Sequence, residues 1–136
     1  MKITATIKNK GDQNQVIVTT NGNQQEINIP SKNNGRGSSV NGGELLFLSL
    51  ATCFCNDVYR EANLKGIDIK SVEVNVSGSF GLPGQVASDV VYDVKIISDN
   101  TREQVDDLIL HVDRIAEIHN TVRKGIGITI QLKEFN

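Results

Sequence analysis

The sequence is poor in the residues that mark several large functional classes. It has no Trp, and aromatic residues make up only 4% of its 136 positions, which argues against a base-stacking platform for single-stranded nucleic acid. Lys and Arg number 14 against 16 Asp and Glu, for a net charge of −2. A basic surface for a polyanion is therefore not expected, and we predict no nucleic-acid partner.

Long hydrophobic runs are absent as well. The longest apolar stretch, Leu45 to Cys55, is interrupted by Ser49 and Thr52 and is shorter than the roughly 20 residues that cross a bilayer. The first six residues alternate apolar and polar side chains, unlike the continuous apolar run of a signal peptide. We therefore expect a cytoplasmic protein with no membrane partner.

Cysteine is scarce, with only Cys53 and Cys55 in the chain. Two cysteines are too few for a disulfide scaffold. A Cys-x-Cys pair needs two further ligands to hold structural zinc, and His111 and His119 lie far along the sequence. We predict no metal and no cofactor, and a single domain over residues 1–136 with a modest core.

The spacing of hydrophobic residues predicts an α+β fold with the order βββ-α-ββ-α-β, in which helices cover antiparallel sheet. The predicted strands cover residues 3–7, 16–20, 24–29, 72–76, 90–97 and 126–132, and the helices cover 41–65 and about 101–121. Asn21-Gly22 indicates a hairpin turn. Capping boxes are expected at Asn41 with Glu44 and at Thr101 with Gln104, and Gly66 is a typical helix stop.

The first helix is unusual because Leu45 to Cys55 is apolar almost all the way round. Such a helix is buried on most sides, which one sheet face in a chain of this size does not achieve. The simplest way to bury the remaining apolar surface of this helix is to pack a second subunit against it. We therefore predict an obligate homodimer, because obligate interfaces are apolar like a divided core.

The two thiols have both a structural and a chemical interpretation. They are two positions apart on a helix, so about 200° separates them and they face opposite sides. A buried Cys that packs as a small hydrophobe is the commoner case, since reactivity needs an accessible, electropositive setting. Arg36, in the Gly- and Ser-rich loop before the helix, could supply that cation, although a solvated arginine is commoner.

Two other places have similar double interpretations. Glu44 either caps the helix or orients an arginine, and the cap is favoured. The cluster His119, Asn120 and Thr121 either satisfies a helix C-terminus or forms a corner that contacts a ligand. A Cys-His nucleophilic pair with His119 has no support from spacing.

Three segments resemble the OsmC/Ohr family. Residues 43–54, GELLFLSLATCF, resemble its helix motif, roughly P-x-E-L-L-x-x-A-L-x-x-C. Residues 66–74 resemble the turn and valine-rich strand that follow, and residues 116–122 align with C-P-V-x-x-T-L. The resemblance covers about residues 35 to 132 and implies an intertwined α+β homodimer with two long central helices and sites at the subunit interface.

The resemblance also implies thiol chemistry. The better-known members are peroxidases of organic hydroperoxides, in which one cysteine attacks the peroxide and a second resolves the sulfenic acid as a disulfide. Cys53 matches the attacking cysteine, whereas the second position falls on Ala116 and its following Pro on Glu117. In the hydroperoxide-resistance branch, an arginine from the N-terminal strands is held by a glutamate whose place is taken here by Gly43.

These matches and departures leave three hypotheses. The first is a one-cysteine peroxidase for organic hydroperoxides in oxidative-stress defence, with Cys53 attacking, Arg36 activating the thiolate and an external thiol as reductant. The second is a peroxidase-inactive dimer that binds a small apolar or peroxidic ligand beside Cys53. The third is a purely structural dimer without a small-molecule site.

Overall fold

A computed structural model describes residues 1–132 as two compact units, one of Met1–Leu45 and one that begins at Leu46. It confirms the predicted α+β class, with antiparallel sheets and three helices. The elements are β1 Ile3–Lys10, β2 Gln13–Thr20, β3 Asn23–Ile27, α1 Gly42–Lys65, β4 Ile69–Ser79, β5 Ser88–Ser98, α2 Arg102–Ile115 and α3 Glu117–Lys124. Within the described residues, no helix combines the length and apolarity needed to cross a membrane.

The first unit is an antiparallel sheet with the order β1-β2-β3. The predicted hairpin between β2 and β3 is confirmed, because Asn21 and Gly22 adopt φ values of 48° and 86°, the region that a tight type I′ turn requires. Val16 and Ile29 are buried in this unit. Most other side chains of the three strands are exposed or half-buried.

Helix α1 begins and ends where its sequence signals predict. The Asn41 N–H donates to the Glu44 carboxylate at 2.7 Å, and the Glu44 N–H donates to the Asn41 side-chain oxygen at 2.9 Å. Both donors of the first turn are thus satisfied reciprocally. Gly66 follows the last helical residue with φ 66°, the left-handed conformation that favours glycine.

The core of the second unit forms where α1 packs with α2 over the β4–β5 hairpin. Its fully buried members are Phe54, Val58, Ala62, Leu108, Val112 and Ala116. On the sheet side, alternate residues of the paired strands face these helices, including Val74 and its partner Val94. Burial of one such large apolar side chain contributes about 1.5–3 kcal/mol, so this cluster is the main source of stability in the unit.

The second predicted helix is divided, contrary to the expectation of one helix over about 101–121. Helix α2 ends at Ile115, and Ala116 takes an extended backbone conformation with φ −62° and ψ 108°. Helix α3 then starts at Glu117. A single residue out of helical conformation ends the run of i to i−4 hydrogen bonds, although nothing in the composition of this segment signals the break.

The predicted last strand is not formed in residues 126–132, and this part of the prediction is wrong for the chain as described. Ile126, Ile128, Ile130 and Leu132 are between 68% and 90% exposed. The alternation that predicted the strand is present, but a strand exists only with a hydrogen-bonded neighbour. No strand within residues 1–132 pairs with this segment.

Candidate functional site

Cys53 lies in the middle of α1, half-buried, on the side of the helix that meets the start of α3. Its thiol donates a long hydrogen bond of 3.6 Å to the Asp57 carboxylate, one turn further along α1. Glu117, the first residue of α3, places its carboxylate in the same cluster. The residue is therefore partly exposed, and the charged groups that act on its thiol are acidic.

These surroundings raise the pKa of Cys53 above its ordinary value. Burial is the largest cause, and the charge and hydrogen bond of Asp57 and the charge of Glu117 add to it. The backbone of Ile118, in the first turn of α3, works in the opposite direction and lowers the pKa, as expected for amide groups at a helix N-terminus. The protonated thiol is the favoured form near neutral pH.

Asp57 belongs to a chain of charged side chains along α1 and α2. Its carboxylate is buried and accepts a hydrogen bond from Arg60 at 2.6 Å, and Arg60 also contacts Glu61 at 2.9 Å. His111 of α2 continues the chain with its Nε2 atom 2.9 Å from Glu61. The hydrogen bond to Glu61, with the charge of Asp57, raises the pKa of Arg60. The hydrogen bonds from Arg60 and then from His111 lower the pKa of Glu61.

The ligand atoms of Cys53, Asp57 and Glu117 lie within 4.8 Å of one another. Such a set could in principle hold a metal ion. However, the thiol–carboxylate hydrogen bond and the ion pair with Arg60 already partner Asp57. We therefore assign no metal to this cluster.

Cys55 has different neighbours from Cys53. It lines a shallow depression of about 280 Å³ on the surface, with Ala51, Thr52, Asn56 and Val74. This placement is consistent with the predicted rotation of about 200° between the two thiols. Cys55 is therefore poorly placed to act on a sulfenic acid at Cys53 within one chain.

Arg36 lies in the first unit, within the loop that joins β3 to α1. It is exposed, and its backbone N–H donates to the Asn34 side chain at 3.3 Å. Gly35 and Gly37 on either side have φ values of 76° and 77°, so the loop turns sharply at the arginine. The proposed contact between Arg36 and Cys53 stays a prediction.

His119 is a buried side chain rather than a helix C-terminal group, so the first interpretation of its cluster is wrong for this residue. It lies in the first turn of α3 and is only 4% exposed. Its ring packs edge-on against Tyr92 and Phe54, with centroids 4.7 and 5.6 Å apart. Asn120 instead satisfies a carbonyl at the C-terminus of α2, because its side-chain amide donates to the Arg114 carbonyl at 3.0 Å.

A second polar network lies beside His119. The Tyr92 hydroxyl donates to the Asp113 carboxylate, and Arg123 of α3 binds the same carboxylate and the Asp113 carbonyl, the latter at 3.0 Å. Burial, followed by the hydrogen bond and charge of Asp113, raises the pKa of Tyr92 to about 12. The hydroxyl therefore stays protonated. Its hydrogen bond to Asp113, with those of Arg123, links β5, α2 and α3.

A sequence profile described as "OsmC-like protein" matches residues 35–131 of the chain. The chain belongs to the OsmC family. The expected family is thereby confirmed, over almost the same residues that carried the resemblance. Among curated proteins, no sequence matches the chain significantly.

Solved structures agree with this assignment at the level of the fold. An OsmC-like protein from Mycoplasma pneumoniae has a TM-score of 0.63 and 21% identity, with 90% of this chain and 86% of that chain covered. An organic hydroperoxide resistance protein OsmC from Legionella pneumophila has a TM-score of 0.57 and 17% identity, with 90% of each chain covered. The organic hydroperoxide resistance protein OhrB of Bacillus subtilis has a TM-score of 0.51 and 18% identity, with 97% and 96% covered.

In this OsmC-family protein, the residue aligned with the second family cysteine is Ala116, and solvent does not reach it. Ala116 is fully buried between α2 and α3, and it carries no thiol. Glu117, aligned with the family Pro, instead adds negative charge beside Cys53. Sequence reasoning missed Asp57, although its spacing of four residues from Cys53 on one helix places the two side chains on the same face.

Replacing the acidic neighbours should make Cys53 more reactive. In Asp57→Asn and, to a smaller extent, Glu117→Gln, loss of a negative charge lowers the pKa of the thiol and increases the thiolate fraction at neutral pH. We expect alkylation by iodoacetamide at pH 7.5 to accelerate several-fold, since the gain in thiolate outweighs its reduced nucleophilicity. The measurement is the labelling rate of the Cys53 peptide by mass spectrometry.

Glu103→Gln in α2 is the matched control and should leave the rate unchanged, because Glu103 is not among the groups that shift the pKa of Cys53. Equal rates in wild type and Asp57→Asn across pH 6–10 would show that the carboxylate does not control the thiol.

Proposed function

We propose that the protein is a thiol-dependent reductase of organic hydroperoxides in which Cys53 is the only reacting thiol of the chain. The observation that supports this most is the placement of Cys53, a half-buried residue at the family's attacking position, beside the N-terminal backbone of α3. Relatives from Legionella pneumophila and Bacillus subtilis are named organic hydroperoxide resistance proteins. We further propose that it acts in the cytoplasm, where small thiols are available to recycle it.

The proposed reaction has two stages. The Cys53 thiolate attacks the distal oxygen of the hydroperoxide, the O–O bond breaks, and the alkoxide leaves with a proton as the alcohol while sulfur becomes sulfenic acid. An external thiol then condenses with the sulfenic acid, releasing water and forming a mixed disulfide. A second external thiol attacks that disulfide, restoring Cys53 and leaving as the oxidised disulfide.

A cation at Cys53 is a necessary part of this proposal. Asp57 and Glu117 favour the thiol form, and Arg60 is held by two carboxylates. We propose that Arg36 supplies the positive charge. Its position at a sharp turn with an exposed side chain is compatible with that role.

The direct test is to trap the first product. Wild-type protein is treated with one equivalent of tert-butyl hydroperoxide in the presence of dimedone, which forms a stable adduct with sulfenic acid. We expect the adduct on the Cys53 peptide and not on the Cys55 peptide, as read by tandem mass spectrometry. An adduct confined to Cys55, or none at either cysteine at pH 8, would overturn the proposal.

A peroxidase-inactive dimer that binds a small apolar ligand beside Cys53 is the second candidate function. The observation in its favour is the acidic environment, which keeps the thiol protonated. It predicts no turnover of hydroperoxides and slow labelling of Cys53 that a bound ligand slows further. The dimedone experiment separates the two candidates, because only the reductase forms sulfenic acid at Cys53.

We also propose that the protein is an obligate homodimer. Several apolar side chains of α1 are exposed in the single chain, including Leu48 at 60% and Leu64 at 73%. The segment 126–132 is exposed as well and adds to the apolar surface that a second copy would cover. Obligate interfaces bury apolar surface of this kind.

Light scattering over a range of concentrations should therefore give the mass of a dimer throughout. Leu48→Lys should weaken assembly, because a charge would be buried at the interface, whereas Asn63→Lys on the polar side of α1 should not. A wild-type protein that is monomeric and fully folded at micromolar concentration would rule the dimer out.

A further inference from the structure

Of the two carboxylates that cluster with Cys53, Glu117 is the one exposed to solvent. Its carboxylate and the Cys53 sulfur lie within 4.8 Å of each other, and it is an exposed residue at the first position of α3. Asp57, the other carboxylate of the cluster, is buried and is already paired with Arg60. A reagent that reaches the sulfur from solvent therefore comes close to the charge of Glu117.

The charge of Glu117 is not matched by a cation in the described part of the chain, where its carboxylate forms no ion pair. The charge of Arg60 interacts with that of Glu117. However, Arg60 is held by Asp57 and Glu61, so its single positive charge already faces two negative ones. Arg36, proposed above to lie beside the thiolate, would balance the charge of the sulfur and leave that of Glu117 in excess.

An exposed charge so close to a reacting atom changes the rate of reaction according to the charge of the reagent. Like charges about 6 Å apart in water repel enough to slow a reaction about threefold, and opposite charges accelerate it by about the same factor. Salt screens this effect, because the Debye length is only about 3 Å at 1 M. Reactions of Cys53 should therefore depend on the sign of the reagent's charge, and less so at high salt.

We propose that Glu117 sets the charge specificity of Cys53, which reacts preferentially with neutral or cationic hydroperoxides and disfavours those that carry a carboxylate near the peroxide. This inference rests on the proposed function, because it names the class of hydroperoxide that the reductase accepts. The chemistry of the attack is unchanged, and Glu117 acts only on the approach of a charged substrate.

The first test uses thiol–disulfide exchange, which needs no hydroperoxide. The full-length protein with Cys55→Ser is treated at pH 8.5 and low ionic strength with cystamine, which is cationic, or with 3,3′-dithiodipropionate, which is anionic. The Cys53 thiolate attacks one sulfur of the reagent, the S–S bond of the reagent breaks, a mixed disulfide forms and a small thiolate leaves. Mass spectrometry of the intact protein gives the two rates and their ratio.

We expect the cation-to-anion ratio to be about tenfold higher when Glu117 is present than in Glu117→Gln, the product of a threefold effect for each sign of charge. The two disulfides differ in intrinsic reactivity, but this difference cancels between the variants. The lower pKa of Cys53 in Glu117→Gln changes both rates equally and also cancels. Glu117→Lys should reduce the ratio further, and in 1 M NaCl the ratios of all variants should converge.

Glu103→Gln is the matched control, because it removes the same charge from the first turn of α2. Glu103 is not among the groups that shift the pKa of Cys53. The control should therefore keep the full cation-to-anion ratio.

The second test repeats the comparison with tert-butyl hydroperoxide and its carboxylate analogue, 3-hydroperoxy-3-methylbutanoate. The measured quantity is the ratio of kcat/KM for the neutral substrate to kcat/KM for the anionic one. It should fall about threefold from wild type to Glu117→Gln, because only one of the two substrates carries a charge.

Three results would overturn the inference. The first is a cation-to-anion ratio that is equal in Glu117→Gln and Glu103→Gln. The second is no reaction of Cys53 with either disulfide, since reagents would then not reach the sulfur. The third is hydroperoxide turnover whose substrate preference does not change in Glu117→Gln. By contrast, the expected exchange ratios without turnover of either hydroperoxide would refute the reductase and support the charge specificity of Cys53.

Discussion

Cys53→Ser should abolish organic hydroperoxide turnover, with kcat/KM reduced at least about 100-fold, since a hydroxyl cannot replace a thiolate as the attacking group. The assay follows the consumption of tert-butyl hydroperoxide with dithiothreitol as the external reductant. The rate of Cys53→Ser should stay at background at every pH between 6 and 9. In wild type, by contrast, the rate should rise with pH, because the raised pKa of Cys53 leaves only a small thiolate fraction at neutrality.

Cys55→Ser is the matched control. It removes a thiol of the same helix that lines a different surface, and it should retain most of the activity. If Cys53→Ser turns over hydroperoxide at the wild-type rate, Cys53 is not the nucleophile. If wild type itself has no activity while Cys53 is labelled slowly, the ligand-binding candidate takes the place of the reductase.

Phe54→Ala should cost about 3–5 kcal/mol in the free energy of unfolding, the usual range for a fully buried aromatic residue. Phe54 has no exposed surface and contacts both Tyr92 and His119. Its removal therefore leaves a cavity between α1, β5 and α3 and loosens the packing of the His119 ring. Urea unfolding followed by circular dichroism measures the change.

Asn63→Ala, on the exposed side of the same helix, is the comparison and should change stability by less than about 0.5 kcal/mol. A loss below about 1 kcal/mol for Phe54→Ala, smaller than such a core truncation normally costs, would mean that the core of the second unit lies elsewhere.

The elements that the sequence predicted correctly are those whose causes are local. The Asn21-Gly22 turn and the capping boxes at Asn41 and Thr101 each depend on residues within three positions of one another, and all three form as expected. The position of Cys53 in mid-helix follows from the same local pattern. Family membership was also predictable, because the helix motif around Cys53 is contiguous.

The features that could not be predicted depend on contacts distant in sequence. Ala116 leaves the helical conformation at a position where its side chain is fully buried, and no residue type signals this. His119 enters the core because Phe54 and Tyr92, from two other elements, form a space for it. The alternation of residues 126–132 predicted a strand that is not formed, because no described strand pairs with this segment and alternation alone does not identify a partner.

The hydrogen bond from Cys53 to Asp57 has a consequence for the lifetime of the protein in a cell. Low-pKa, exposed cysteines are overoxidised or glutathionylated readily, because the thiolate is the form that oxidants attack. A sulfur that holds its proton and shares it with a buried carboxylate resists this background damage. We therefore expect Cys53 to remain reduced without constant repair. We expect it to react only when a cation beside the sulfur increases the thiolate fraction.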